Sequence, residues 1–575
     1  MNNYLSQIIY LTKKEKYKVP FLILVILFIS LFDILGLGLI APYIAILTDQ
    51  NNTYLEVFKN LLSNFNVYLD SYQTILLISI LLLLVFFFKT IGNILLNFIL
   101  LRLIHKKEVE IRFELIKSYY NRKYELMISN RSSDSIENIV SLVPQFLFHA
   151  LYPLLKIISN IIIVSLISVF LFFVIGKFIF FLILFLSLVI FVYDSLFGGK
   201  LISYGKKSSQ GSRSIIKGIQ ETLNGLKEIK ILDKEKFFTN QILAGAIEYA
   251  KYKVRLTIIS TSFPYIFEFL VILLVTLFVI IHISYVGYDF ISILPTLGVL
   301  ALAILRLIPK AVMISSDIGK IRSGRYATNQ VYDIYKLINN EKKQSRIKTV
   351  IDESFNSLRL SDVSYKYPET EKNVINKINL EIKKGDHIGI RGESGSGKTT
   401  FVDLITGHLN PNQGKIYFNS TLLDDKNYHN FISLISYIPQ KIFLIDDTLK
   451  KNITLCDDSE IDQTKLIRSI AKAKIDDLVN NLDLGIETKV GEDGATLSGG
   501  QRQRIAIARS FYHDKEFIIF DEVTSALDAK TSSQIIKEIS LLKENTVITI
   551  SHNHETIKNC NRIFEIKNGN LGIIK

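Results

Sequence analysis

Before residue 320 the chain alternates long apolar blocks with shorter basic stretches, and after it the apolar residues come in short runs broken by turn residues. The first pattern predicts membrane-spanning helices and the second an ordinary soluble α/β domain. Six blocks are long enough to span: about Pro20–Leu47, Thr74–Leu101, Val140–Ile175, Phe178–Leu201, Leu256–Ile283 and Ile291–Met313. As a helix the first would be roughly 42 Å long, against a hydrocarbon core of about 30 Å. Lys13, Lys14, Lys16 and Lys18 precede it, whereas the loop 48–73 has Lys59 against Asp49, Glu56 and Asp70. Gly176-Lys177 allows only a tight hairpin, and the loop 284–290 has no Lys or Arg. Basic segments lie between the second and third blocks (Lys106, Lys107, Arg112, Lys117, Arg122, Lys123) and over 203–255. This asymmetry predicts six spans with both termini cytoplasmic, the basic segments being helical extensions around turns. The chain is thus divided into a membrane domain over 1–320, a mixed-charge linker over 321–354 and a soluble domain over 355–575, with no internal repeat.

Composition strengthens the division. Hydrophobic residues make up 49% and mean hydropathy is +0.29, too apolar for a soluble enzyme. The formal charge of +13 is spread over loops flanking apolar blocks rather than gathered in one stripe with aromatics, so it speaks for membrane topology and against nucleic acid. Cys456 and Cys560 are the only cysteines and lack metal-ligand spacing, so ordinary reduced thiols are expected. The first block is too long for a cleavable signal and stays as a membrane helix. No extra N-terminal domain of the leader-peptidase kind is expected.

The chemistry lies in Gly392-Glu393-Ser394-Gly395-Ser396-Gly397-Lys398-Thr399-Thr400, which fits G-x-x-x-x-G-K-[ST] at every position. A β-branched run, 386–391, precedes it and a helix start, 400–406, follows, the context a phosphate-binding loop needs. Gly392, Gly395 and Gly397 allow backbone N–H groups to converge on an anion, reinforced by the helix N-terminus. Lys398 would reach the β- and γ-phosphates, and Thr399 would place its hydroxyl on Mg²⁺. Phe517-Ile-Ile-Phe-Asp-Glu522 is an apolar strand ending in two acids: Asp521 to hold Mg²⁺ and Glu522 to polarise the attacking water. Leu497-Ser498-Gly499-Gly500-Gln501 is a glycine turn opening a helix, a second anion-binding N-terminus. The fold class is therefore a polytopic α-helical membrane domain with six transmembrane helices, followed by an α/β P-loop ATPase domain.

Leu497–Gln501, with the phosphate loop, resembles the ATP-binding cassette transporters, and the resemblance runs along the whole chain in the arrangement of exporters. It implies that Ser498 and Gly500 bind the γ-phosphate of ATP held by the opposite subunit, so that two such chains work together. A homodimer is the simplest completion, and a heterodimer with a related half-transporter is the other. Tyr367 resembles the aromatic that stacks on adenine, and Gln440 the loop glutamine that touches Mg²⁺ and water. Asp528 resembles the loop that communicates between paired sites, and His552 the switch histidine on the γ-phosphate. Thr488–Gly494 resembles a segment typical of exporters and argues against import. The resemblance also implies two short transverse helices, for which about Tyr124–Ser132 and Leu223–Lys230 are the candidates. A soluble cassette ATPase of translation or repair is excluded by the six spans. A channel merely gated by ATP is disfavoured by Glu522 and His552.

Ionisable residues inside apolar spans cost several kcal/mol unless paired or facing water, and Asp33, Lys89, Glu268 and Arg306 are such residues. Lys89, Asn93 and Asn97 form one polar stripe, and Arg306 shares a face with Lys310. A basic cavity of this kind suits an amphipathic anion, first of all a polyprenyl-pyrophosphate-linked glycan. Residues 303–309 are similar to the sixth span of bacterial lipid-linked oligosaccharide flippases. Lipid A or phospholipid and drug or peptide exporters are the alternatives, and a purely structural ion pair, Asp33 or Glu268 with Lys89 or Arg306, is the competing explanation of the charges. The expected location is a bacterial inner membrane.

Overall fold

The computed structural model describes residues 2–12, 18–48, 53–64, 68–121, 124, 132–175, 178–286, 290–344, 354–368, 370–424, 427–523, 527–542 and 544–575. They form two compact units, 1–122 with 129–340 and 123–128 with 341–575.

The first unit is helical. Five expected spans lie each in one helix, Lys18–Thr48, Ser71–Asn121, Phe178–Asn224, Glu235–Val286 and Phe290–Ser323, and the later part of the third forms Tyr152–Ile175. Among the described residues, four helices are long and apolar enough to cross a membrane, and Pro20–Gly36 is a shorter apolar one. Three of the helices, of 51, 47 and 52 residues, are each more than twice the length a hydrocarbon core requires. The basic stretches are thus helical continuations of the spans. One core joins Leu22, Ile26, Leu96, Ile163, Phe263 and Phe267. A second joins Tyr4, Ile8, Ile111, Phe146, Val331 and Ile334.

Three boundaries differ from expectation. The third block begins inside this second core: π-helical turns at Asn138–Leu142 and Leu147–Leu151 flank Val143–Phe146. Pro144 lacks an N–H and its ring crowds the preceding turn, which a wider turn relieves. The apolar helix that can span begins at Tyr152. The loop 48–73 contains the helix Thr53–Ser63, whose buried Leu55 packs on Ile78. Within 321–354, read as a linker, Arg325–Gln344 is a helix that buries Ala327, Val331, Ile334, Tyr335 and Ile338 in the first unit. Leu223–Lys230 does give a short helix, Leu226–Ile231, between two long ones. The other transverse candidate, the hairpin at 176–177 and the linker end 345–353 lie outside the described residues, save Tyr124 and Ser132.

Helices Phe178–Asn224 and Phe290–Ser323 meet at Gly205, where a Cβ would lie 2.2 Å from the Ser323 carbonyl oxygen. A methyl there must push backbone, which costs about 1–3 kcal/mol. Gly205→Ala is therefore expected to lower the thermal midpoint of the purified protein; an unchanged midpoint would show that the helices separate freely.

Among the described residues the second unit has ten strands: β1 (Ser357–Tyr365), β2 (Ile375–Lys383), β3 (His387–Arg391), β4 (Gln413–Phe418), β5 (Thr421–Leu422), β6 (Ile435–Ile438), β7 (Phe517–Asp521), β8 (Thr546–Ile550), β9 (Arg562–Lys567) and β10 (Asn570–Ile573). An antiparallel sheet runs β2-β1-β4-β5, and a six-stranded sheet runs β10-β9-β3-β8-β7-β6, parallel except for β10. All five residues of β7 and of β8 are buried, which is why these strands read as unbroken apolar runs. Register places Ile390 beside Ile550 and Ile550 beside Asp521. The loops after β3, β7 and β8 therefore leave one edge of the sheet together, the usual place for a ligand in an open α/β sheet.

Candidate nucleotide site

The loop after β3 turns into helix Lys398–Ile405 through Gly395 (φ +79°) and Gly397 (φ +106°), left-handed conformations that glycine adopts without a Cβ penalty. At Gly392 a Cβ would meet the Ile566 carbonyl oxygen at 2.5 Å, whereas at Gly395 nothing lies within 4 Å. The loop is packed at its base and open at its crown, where a ligand can approach the backbone. Lys398 Nζ donates to the carbonyls of Gly392 and Glu393, both at 2.9 Å. Glu393, Ser394 and Thr399 are exposed. The buried hydroxyl of Ser396 has no hydrogen-bond partner, an orphan that a phosphate oxygen would satisfy. These features fit a nucleotide phosphate.

The acids from β7 stand beside this loop. Asp521 Oδ2 accepts from the Tyr437 hydroxyl at 3.0 Å. Burial, with the charge of Glu522, holds the Asp521 carboxyl above its ordinary pKa, against the opposing pull of Tyr437 and Lys398. Burial and the charge of Asp521 likewise push Asp403 up to about 6. Two acids disfavoured as anions in one place suit a counter-cation. The oxygens of Thr399, Asp521 and Gln440 are the hard ligands Mg²⁺ takes, alongside phosphate. Among the described residues no three His, Cys, Asp or Glu side chains cluster as a metal cage.

Glu522 is pinned on both carboxylate oxygens: Oε2 accepts from Gln440 Nε2 at 2.6 Å, and Oε1 lies 2.9 Å from His552 Nε2. Its backbone is left-handed, φ +53°, with its N–H donating to Ile550 O at 2.9 Å. Such a conformation in a non-glycine residue is a strained arrangement, of the sort found at functional sites. His552 Nε2 is also 3.4 Å from Lys398 Nζ. The structure thus brings Lys398, Asp521, Glu522, Gln440 and His552 into one constellation from four separate loops.

Other expected residues lie apart from it. Ser498 caps the helix Gly499–His513, its Oγ accepting from Gln501 N while Gln501 Oε1 accepts from Ser498 N. This capping box fixes the glycine turn while Ser498 stays exposed. Asp528 caps Ala529–Ser540 by accepting from Thr531 N at 2.9 Å, which lowers its pKa. Tyr367 is half-buried, its hydroxyl 3.1 Å from Thr400 Oγ1 and its ring edge-on to Tyr365. Tyr437 and Asp403 are not singled out by sequence. Their only signals are a tyrosine on the strand next to Asp521 and an acid one helical turn beyond Thr399.

In the membrane unit, Asp33, 5% exposed, forms an ion pair with Lys89. Lys89 and Arg306 each sit 5.3 Å from the centre of the Phe86 ring. The electrostatic neighbours of Lys310 are Asp33, Lys89, Lys156 and Arg306. Glu268 is exposed on its helix and is not among them. Lys156 joins the group although the sequence pattern does not mark it out.

Two family profiles match: ABC transporter transmembrane region over residues 20–305 and ABC transporter over 375–525. Among curated proteins, the chain is similar to the ATP-dependent lipid A-core flippase of Ralstonia nicotianae, 35% identical over 224 residues (38% of each chain). The protein of the same name from Salmonella typhimurium is 32% identical over 237 residues, 41% of each chain. The chain thus matches well under half the length of these relatives. A solved bacterial Atm1-family ABC exporter with ATP bound shares the fold, with TM-score 0.79 at 19% identity over 97% of this chain and 95% of that one. With the membrane profile ahead of the cassette profile in one chain, and an exporter's fold nearly end to end, the chain belongs to the ABC transporters as a half-transporter.

Proposed function

We propose that the chain is one half of an ATP-driven flippase for an anionic amphipathic lipid, working as a homodimer in a bacterial inner membrane with both termini cytoplasmic. The observation that carries the choice of cargo is the group of Lys89, Lys156, Arg306 and Lys310 in the membrane unit, with Asp33 as the acid among them. Unbalanced positive charge in a low-dielectric span is costly unless an anion or water meets it. A lipid A-core glycolipid is the first candidate, because the relatives from Ralstonia nicotianae and Salmonella typhimurium carry that name. It displaces the polyprenyl-pyrophosphate glycan favoured by sequence reading, whose anionic headgroup suits the same charges.

In this reading Gly392–Thr400 holds the ATP phosphates and Tyr367 the adenine. Ser498 to Gln501 close on the partner subunit's nucleotide, and Asp528 links the paired sites. Mg²⁺, when bound, neutralises charge on the β- and γ-phosphate oxygens, and Thr399, Asp521 and Gln440 would hold it. Glu522 Oε2 or Oε1 accepts the proton of the attacking water. Gln440 and His552 keep that carboxylate from rotating away.

Reconstitution in vesicles tests the cargo. Arg306→Ala and Lys89→Ala are each expected to reduce ATP-dependent transbilayer movement of a lipid A-core glycolipid by about tenfold. Lipid-linked oligosaccharide and a neutral hydrophobic drug serve as comparison arms. Normal transport by both variants, or carriage of the neutral drug instead, would refute the anionic-lipid reading.

A further inference from the structure

Strand β6 and the loop that follows it hold both acids of β7, Gln440 by its amide on Glu522 and Tyr437 by its hydroxyl on Asp521. We propose that Tyr437 is a positioning residue for the metal ion: its hydroxyl fixes one oxygen of Asp521 and so sets that carboxylate to meet Mg²⁺. This inference rests on the reading of the site as one for ATP and Mg²⁺, and deepens it.

The pairing follows from strand register. β6 runs parallel to β7, with Tyr437 beside Ile519 and Ile438 beside Phe520. Side chains alternate between the two faces of a strand. Ile438 accordingly joins Ile505, Ile518 and Phe520 in one core, whereas Ile435 packs with Phe517 and Ile519 in the other, which also holds Phe401 and Leu404 of the helix after the phosphate loop. Tyr437 and Asp521 have the parity of this second set, so both leave the sheet on the side of that helix. Asp521 lies two residues beyond the register partner of Tyr437, a diagonal of roughly 7–8 Å that a long aromatic side chain can span. From its other face the strand is tied down by Ser436, whose Oγ donates to Ser510 Oγ at 2.9 Å.

This tyrosine does more than fill a core. Asp521 is 9% exposed, and among the described residues Tyr437 is the one side chain that donates a hydrogen bond to it. Burial, with the charge of Asp521, raises the phenol above its ordinary pKa, so the proton stays on Tyr437 and the hydroxyl remains a donor. A tyrosine has only two side-chain torsions, and on an anchored strand its hydroxyl marks one fixed point for Asp521 Oδ2. A carboxylate held at Oδ2 presents Oδ1 in one direction. Groups that orient a metal ligand in this way govern metal affinity by about 10–100-fold.

The test is binding to the purified full chain in nanodiscs. A fluorescent ATP analogue is titrated in EDTA, and Mn²⁺ held by the protein–nucleotide complex is then titrated by electron paramagnetic resonance. Tyr437→Phe keeps the ring and removes the hydroxyl. It is expected to bind nucleotide in EDTA within about twofold of wild type and to hold Mn²⁺ about tenfold more weakly. In an Asp521→Asn background, itself weakened for Mn²⁺, adding Tyr437→Phe is expected to change Mn²⁺ affinity by less than about twofold, because a residue that acts through Asp521 has no carboxylate left to orient. Unchanged Mn²⁺ affinity in Tyr437→Phe, or an equal loss with and without the Asp521 carboxylate, would overturn the role of Tyr437 and leave the ion's site standing. Nucleotide binding lost in EDTA as much as Mn²⁺ is lost would show a structural residue and overturn the role as well. A wild-type complex that holds no Mn²⁺ would instead overturn the metal reading on which the inference rests.

Discussion

Glu522→Gln is expected to cut steady-state ATP turnover on the order of 10²–10⁴-fold while nucleotide still binds. The substitution keeps the shape of the side chain and removes its ability to take a proton. The expectation rests on geometry: both carboxylate oxygens are engaged, by Gln440 at 2.6 Å and His552 at 2.9 Å, on a left-handed residue. That arrangement spends backbone strain to hold one orientation, as a positioned base requires. Phosphate release measured beside binding of a fluorescent ATP analogue separates the two effects. Undiminished hydrolysis would remove Glu522 as the base and turn attention to His552.

Lys398→Ala is expected to abolish ATP binding or turnover, leaving the membrane unit folded, because the two units have separate apolar cores. The ammonium lies over the carbonyls of Gly392 and Glu393, and alanine leaves nothing there to meet phosphate charge. The same variant probes the dimer. Ser498 is exposed at the start of a 15-residue helix, where its Oγ accepts from Gln501 N. Subunits carrying Ser498→Arg, co-purified with Lys398→Ala subunits through different tags, are expected to form one composite site with both defects and one with neither. ATP should then close the mixed pair, whereas Lys398→Ala pairs stay open. Failure of every mixed pair to close would argue against the sharing of sites between subunits.

What could be read from the sequence was what is contiguous in it. Gly392–Thr400, Leu497–Gln501 and Asp521-Glu522 each carry their chemistry within a few residues, and strand register then brings most of them to one edge. The pairing of Asp33 with Lys89 is a tertiary fact: each residue stands out as a charge in an apolar block, but only the close approach of their helices at Gly36 and Gly92, where a Cβ would meet the Phe86 ring at 3.2 Å and Ile29 Cγ1 at 3.0 Å, selects the partner. Lys156 stands midway along the block read as Val140–Ile175, and only the π-turns that move the start of the spanning helix to Tyr152 put it in that helix's first turns. The helix Arg325–Gln344 shows the opposite failure. Its apolar face, Ala327, Val331, Ile334, Tyr335 and Ile338, has helical spacing, yet charges on the other face lower its average hydropathy to that of a linker. The π-turns around Pro144 depend on packing that no local pattern encodes.

The 51-residue helix Ser71–Asn121 is roughly 76 Å of continuous rod, of which about 45 Å extends past a membrane core. A rod of that length amplifies: pivoting it by 5° in the bilayer carries its far end through about 4 Å, roughly the gap between touching side chains. Small rearrangements around Lys89, close to the pivot, would therefore appear at Asn121 as displacements large enough to make or break contacts. Its stiffness is what preserves the gain. A flexible joint anywhere along the shaft would leave both ends intact and the signal between them damped.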